Sequence, residues 1–191
     1  MKKNKTLWIV LGVIFALVLI LVFWGVGTRN ALVDKRETVT TQQAQIQVML
    51  QRRADLIPNL VNTVKGYAAH EEKVFTDIAN ARAALSGAKT VGEMNQASDA
   101  LDSALSRLLV VVEDYPDLKA DTQFKNLQDE IAGSENRIGH ARDEYNKAAK
   151  DYNTKIQKFP TSIIANMAGF EKAEYFEAST EAQTVPEVNF D

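Results

Sequence analysis

Between Thr6 and Thr28 the chain carries no charged residue, and Leu7 to Val26 is a 20-residue apolar run interrupted only by glycine. At 1.5 Å per residue a helix of that length reaches about 30 Å, the thickness of a bilayer's hydrocarbon core. Such a run builds one membrane crossing. A cleaved signal peptide also begins with lysines, here Lys2, Lys3 and Lys5, but its apolar stretch is usually about 7 to 15 residues long, ending at a small-residue cleavage site. Gly25-Val26-Gly27 imitates that site only weakly, so the run reads as a retained anchor. Trp8 and Trp24 mark its two ends, where indole rings settle at headgroup level, and Arg29 follows. Residues 1–6 form a short basic end and residues 7–27 the transmembrane helix. Gly12 and Ala16 make a small-xxx-small pair, for which chance is the simpler account.

Beyond residue 28 the character changes. Every acidic residue lies at or after Asp34, leaving 19 basic against 25 acidic groups in this part of the chain, a balance that disfavours nucleic acid. There is no cysteine, which excludes a thiol nucleophile, thiolate metal ligation and a disulfide framework. Lys2, Lys3, Lys5 and the amino terminus face Arg29, Lys35 and Arg36 across the span, a small excess that puts the short end in the cytoplasm. The expected location is a cytoplasmic membrane, single-pass, with the body outside the cytoplasm.

The body is helical by its periodicity. Leu32, Val39, Ile46 and Leu50 share one side of a polar segment without glycine or proline, and Asp55 followed by Pro58 predicts a fresh helix start, a kinked continuous helix being the alternative. Ile57, Leu60, Val64, Tyr67, Glu71, Val74, Ile78, Ala81 and Leu85 alternate steps of three and four, with Glu71 the one polar interruption. Ser86-Gly87 ends that helix, and Thr90 with Glu93 supplies a capping box for the next. Asp114-Tyr115-Pro116-Asp117 reads as a turn. Phe124, Leu127, Ile131, Ser134, Ile138, Ala141, Tyr145, Ala148 and Tyr152 then keep the rhythm up to Phe159-Pro160. The expectation is an all-α protein: an N-terminal transmembrane helix followed by an elongated antiparallel four-helix bundle over 28–160, with helices at about 30–53, 55–86, 91–113 and 121–158.

Ile163, Ile164, Met167 and Phe170, with Gly169 as a stop, predict a short amphipathic segment over 161–177. Residues 161–191 hold one lysine and six acidic groups, a charge that anionic lipid repels, so this segment is expected to pack on the bundle's base. Residues 178–191 read as a disordered acidic tail.

Chemistry is hard to find along this chain. Neither His70 nor His140 sits in a catalytic pattern, and position minus three is Tyr67 and Arg137 respectively, so the Glu-x-x-His of di-iron bundles is missing. His70-Glu71-Glu72 is the one conceivable metal site, for a metal-dependent sensor or enzyme, and exposed helix polarity explains it more simply. A membrane-remodelling role for the apolar cluster from Ile163 to Phe170 is a further alternative. No catalytic residue, cofactor or metal is assigned. Arg52, Arg53, Asp55, Arg142 and Asn146 form the candidate interaction face, with surface ion pairing as the plainer reading of the charges.

Several strings together resemble the LemA family of bacterial membrane proteins. They include the stretch Gln51-Arg52-Arg53-Ala54-Asp55-Leu56-Ile57-Pro58-Asn59-Leu60-Val61, then Val64-Lys65-Gly66-Tyr67-Ala68, His70-Glu71 and Ala81-Arg82. Tyr115-Pro116-Asp117-Leu118-Lys119-Ala120, Arg137-Ile138, Ala141-Arg142, Tyr145-Asn146, Tyr152-Asn153, Phe159-Pro160 and Gly169-Phe170 complete the set. The resemblance implies a membrane-anchored antiparallel helical bundle without an established enzyme activity. It further implies contact with another envelope or membrane protein, a membrane protease among them. The expected function is thus a membrane-anchored scaffold or adaptor, bound to the lipid bilayer through its first helix, with homo-oligomer formation open and no nucleic acid.

Overall fold

A computed structural model of the chain describes the backbone of residues 2–177 and the side chains of residues 7–177. The basic end and the tail expected over 178–191 lie outside the described side chains. The elements are α1 (Lys2–Lys65), α2 (Glu72–Gly87), α3 (Val91–Val112), α4 (Pro116–Ala120), α5 (Thr122–Gln157) and α6 (Thr161–Met167). Among the described residues there is no strand, so the protein is all-α as expected. Among the described residues two compact units emerge, one from those up to Thr40 with Lys147–Ala173, the other from Thr41–Asn146 with those from Glu174 to Glu177.

The second unit is an antiparallel four-helix bundle of α1 (residues 41–65), α2, α3 and α5 (residues 122–146). Its core takes Ile46, Leu50, Ile57, Leu60 and Val64 from α1 and Phe75, Ile78 and Leu85 from α2. Met94, Leu101, Leu105 and Leu108 enter from α3, and Phe124, Ile131, Ile138 and Tyr145 from α5. Ser134 and Ala141 are buried among them, and the small side chains let backbones approach closely.

The helix starts differ from the sequence expectation at one place. The predicted break between 53 and 55 does not exist: α1 runs unbroken through Pro58. Asp55 is not a cap but an exposed acceptor for Gln51 Nε2 at 2.8 Å, one turn earlier on the same helix. A proline inside a helix deprives the carbonyl four residues back of its donor. Here that carbonyl is Ala54 O, and Arg82 Nε on α2 donates to it at 2.7 Å. The substitute donor lets α1 pass its proline.

The break comes instead at residues 66–71, inside the helix expected over 55–86. Tyr67 and Ala68 both donate their N–H to Val64 O, at 3.0 and 2.9 Å, which closes the end of α1. A methyl group added at Gly66 would sit 3.3 Å from Thr63 O, so glycine suits this tight turn. Ala68 is buried and plugs the hairpin, whereas Tyr67, expected in the apolar stripe, is exposed and donates its hydroxyl to Asp121 at 3.1 Å. Glu71, the one polar member of the stripe, stands just before α2.

The other ends follow the sequence, except that the stretch expected as a turn and link to the last helix forms the short helix α4. Thr90 Oγ1 accepts from Glu93 N at 3.2 Å while Glu93 Oε2 accepts from Thr90 N at 3.0 Å and Lys89 N at 2.8 Å. Pro116 opens α4, where the absent N–H would have no helical partner, and Asp121 accepts from Phe124 N at 2.9 Å to start α5.

In the first unit the apolar run stands exposed along its length, Trp8 at 73% and Trp24 at 40%. A helix apolar on every side and exposed over most of its surface is built for lipid. Beyond it Leu32 and Val39 are buried, as are Tyr152, Ile156 and Ala149, the last in place of the expected Ala148. The packing of α6 also departs from the sequence pattern. Thr161 and Ala165 are buried and Phe170 packs beneath the Arg36 guanidinium at 5.2 Å, but Ile163 and Met167 remain outside. Ile164 Cδ1 lies 3.6 Å from where a methyl group at Gly25 would be. The segment therefore meets the last turns of the apolar run, not solely the polar part of α1 as the expected docking on the bundle's base required.

Candidate interaction surfaces

Three arrangements bear on function, and the first involves Arg53. The heptad spacing of α1 turns this arginine inward, where its side chain is 3% exposed. It pairs with Asp102 on α3 and, at 2.5 Å, with Glu135 on α5. Two carboxylates around one guanidinium compensate its desolvation and fix the registers of three helices. Its neighbour Arg52 points to solvent, as does Asp55.

The second arrangement is a repeated grip on the segment after α6. Asn153 takes Ala173 bidentately, its Nδ2 donating to Ala173 O and its Oδ1 accepting from Ala173 N, both at 2.8 Å. Asn146 does the same to Phe176, at 2.9 Å in each direction. Each asparagine follows a tyrosine that donates to a carbonyl: Tyr152 to Glu171 O at 2.8 Å and Tyr145 to Glu174 O at 3.0 Å. The Tyr-Asn pair thus recurs seven residues apart on α5, at two turns' spacing on one side of the helix. The Phe176 ring stands edge-on to Tyr145, centroids 5.1 Å apart, and beneath the Arg142 guanidinium at 5.5 Å. Burial pushes both tyrosine hydroxyls above their ordinary pKa, most simply because the phenolate would be desolvated.

The candidate face read from sequence therefore separates. Arg53, Arg142 and Asn146 serve contacts inside the chain, while Arg52 and Asp55 remain on the surface. As pairs, Tyr145-Asn146 and Tyr152-Asn153 are legible in the sequence only as two of the strings that carry the family resemblance, and nothing in them says that their target is the chain's own later segment.

The third arrangement is a groove of about 760 Å³ between α1 and α5, lined by Asn59, Asn62 and Thr63 on one side and Thr122, Gln123 and Asn126 on the other. Leu127 and Glu130 complete it, so its walls set amide and hydroxyl groups beside one apolar side chain and one charge. Such groups both donate and accept, as a polypeptide main chain does. His70 and His140 are exposed, and among the described residues no three His, Asp or Glu side chains gather in a metal-holding cluster.

Comparison with known proteins places this architecture. The two magnetosome proteins MamQ of Paramagnetospirillum magneticum are each 29% identical over 181 residues, covering 81% of this chain and 66% of theirs. MamQ of Magnetospirillum gryphiswaldense is 28% identical over 173 residues, covering 77% of this chain and 64% of its own. Protein LemA of Metamycoplasma hominis is 27% identical over 158 residues, covering 82% of this chain and 72% of its own. The chain spans just under two thirds of the length of the magnetosome relatives it matches. The helical architecture, the apolar span near the N-terminus and these bacterial relatives describe a bacterial membrane protein. The LemA family pattern matches residues 42–190, most of the sequence, and the chain belongs to the LemA family.

Proposed function

We propose that the chain is a membrane-tethered scaffold or adaptor of the bacterial envelope, held in the cytoplasmic membrane with its body on the far side and acting through protein–protein contact. The supporting observation is the amide-lined groove between α1 and α5. Its side chains complement main-chain N–H and C=O groups, and the same chemistry at Asn146 and Asn153 grips an extended segment within this chain. A partner presenting an extended or turn-like segment fits there, whether an envelope protein, a membrane protease or a second copy. In this reading the chain binds and does not catalyse, and His70 and His140 are dispensable.

A photo-crosslinking amino acid at Asn62 and at Gln123, in native membranes, tests the reading. The expected result is a protein adduct of one shared mass from both positions and none from exposed Val110. An adduct of twice the chain's mass identifies the partner as a second copy. Groove positions that capture no protein, or no more than Val110 does, overturn the proposal.

A further inference from the structure

Helix α6 buries its small residues and shows its large ones. Thr161 and Ala165 face inward, whereas Met167 is 81% exposed, Ile163 49% and the preceding Phe159 81%. Phe159, Ile163 and Met167 follow one another at four-residue intervals, and between Phe159 and Phe170 no residue is charged. At 100° per residue, Ile163 and Met167 continue around the helix through Ile164 and Ala168 to the buried Thr161 and Ala165, while Ser162 and Asn166 share the opposite, polar arc. Water is a poor neighbour for such a surface.

The level at which α6 sits decides what covers it. Ile164, Met167 and Ala168 form one wall of a groove of about 600 Å³ whose other wall is Val18, Leu21, Val22, Gly25, Val26 and Arg29 of α1. Val18 to Val26 belong to the apolar run and cover about 12 Å of its far end at 1.5 Å per residue. A bilayer that encloses this run therefore encloses Met167 as well. The backbone is prepared for that: Ala168 N donates to Ile164 O, Gly169 N to Asn166 O and Phe170 N to Ala165 O. Gly169, at φ 68°, supplies the left-handed turn that closes these carbonyls. Main-chain groups without water must be satisfied internally, as these three carbonyls are. The acidic groups that argued against lipid begin at Glu171, after this turn.

We propose that Phe159 and α6 form a foot immersed in the leaflet on the body's side of the membrane, and that an acyl chain of a bilayer phospholipid lies in the groove between α6 and α1. Apolar side chains line its length and the Arg29 guanidinium stands at one end, which matches a fatty chain ending in a phosphate. The lipid contact of the span continues directly onto α6.

The test uses the full chain in phosphatidylcholine and phosphatidylglycerol vesicles. Trp8 and Trp24 are replaced by phenylalanine and a single reporter is placed by Met167→Trp, by Ile163→Trp or, as a control on the body, by Val110→Trp. Brominated phospholipid is expected to quench the reporters at 167 and 163 at least twofold more than the one at 110, and aqueous iodide the reverse. Two reporters guard against one variant failing to fold, with helicity checked for each. Iodide quenching at 167 and 163 equal to that at 110 places the foot in water and overturns the proposal. Protection from both quenchers means that protein covers α6, and overturns it too.

Discussion

Arg82 Nε donates a 2.7 Å hydrogen bond to Ala54 O, the carbonyl that Pro58 leaves without a helical donor. A side chain from one helix thereby repairs the backbone of its neighbour. Replacing Arg82 by methionine is expected to cost about 2 kcal/mol, because a carbonyl loses a charged donor and no amide replaces it. In a Pro58→Ala background the helix supplies its own N–H, and the cost of Arg82→Met should fall by about 1 kcal/mol or more. Urea unfolding of the four proteins measures this coupling, and additive losses would show that the proline and the arginine act separately.

Arg53 predicts an asymmetry. Removing the guanidinium leaves Asp102 and Glu135 with water within reach, since they are 43% and 37% exposed. Removing both carboxylates, as Asp102→Asn with Glu135→Gln, strands a charge that is 3% exposed. The double variant should lose about 3 kcal/mol or more and Arg53→Met clearly less. Denaturant midpoints compared at constant m value decide the order.

The asparagine grip needs both a donor and an acceptor. Asn153→Asp keeps the acceptor for Ala173 N but sets a carboxylate against Ala173 O. The segment after α6 should then open more often, and tryptic cleavage after Lys172 should accelerate about tenfold, the kinetic equivalent of some 1.4 kcal/mol. Asn153→Ala is expected to act in the same direction. Unchanged cleavage in both would mean that other contacts hold the segment.

Glu93 carries a pH dependence with a definite sign. The main-chain N–H of Thr90, and then that of Lys89, holds its carboxylate below the ordinary glutamate range. A folded value below the unfolded one gives stability that is complete above the unfolded pKa and is lost as pH falls through the folded value. Thermal melts from about pH 6 down to about pH 3 should show the wild type losing its advantage over Glu93→Gln as acidity rises.

The proposed orientation predicts that a cysteine introduced at exposed Ser106 reacts with a membrane-impermeant maleimide in cells whose cytoplasmic membrane is accessible from outside. Labelling only after membrane disruption would place the body in the cytoplasm.

Much of the fold was legible because burial at helical spacing is a local signal. Phe124, Ile131, Ile138, Tyr145 and Tyr152 could be read directly, as could the Thr90–Glu93 box, since each needs only neighbours along the chain. Pro58 misled because its repair comes from Arg82, 28 positions from the carbonyl it serves. The break at Gly66 was hidden since the apolar stripe resumes beyond it, with Glu71 as its single trace. On α6 the apolar residues were counted correctly, but Ile163 and Met167 stand exposed where a protein interior was expected, because periodicity does not say which apolar face a neighbour covers. The target of Tyr145-Asn146 and Tyr152-Asn153 was unreadable, as main-chain atoms carry no sequence signature.

Grips on main-chain atoms govern how the segment from Glu171 to Glu177 tolerates change. Asn146, Asn153, Tyr145 and Tyr152 all hold peptide groups, and the one side chain seated among them is Phe176. The path of this stretch is dictated from outside, by the helix it lies on. Its own letters, Phe176 apart, are left open to drift or to redesign, and a foreign tag or epitope written there should adopt the same course.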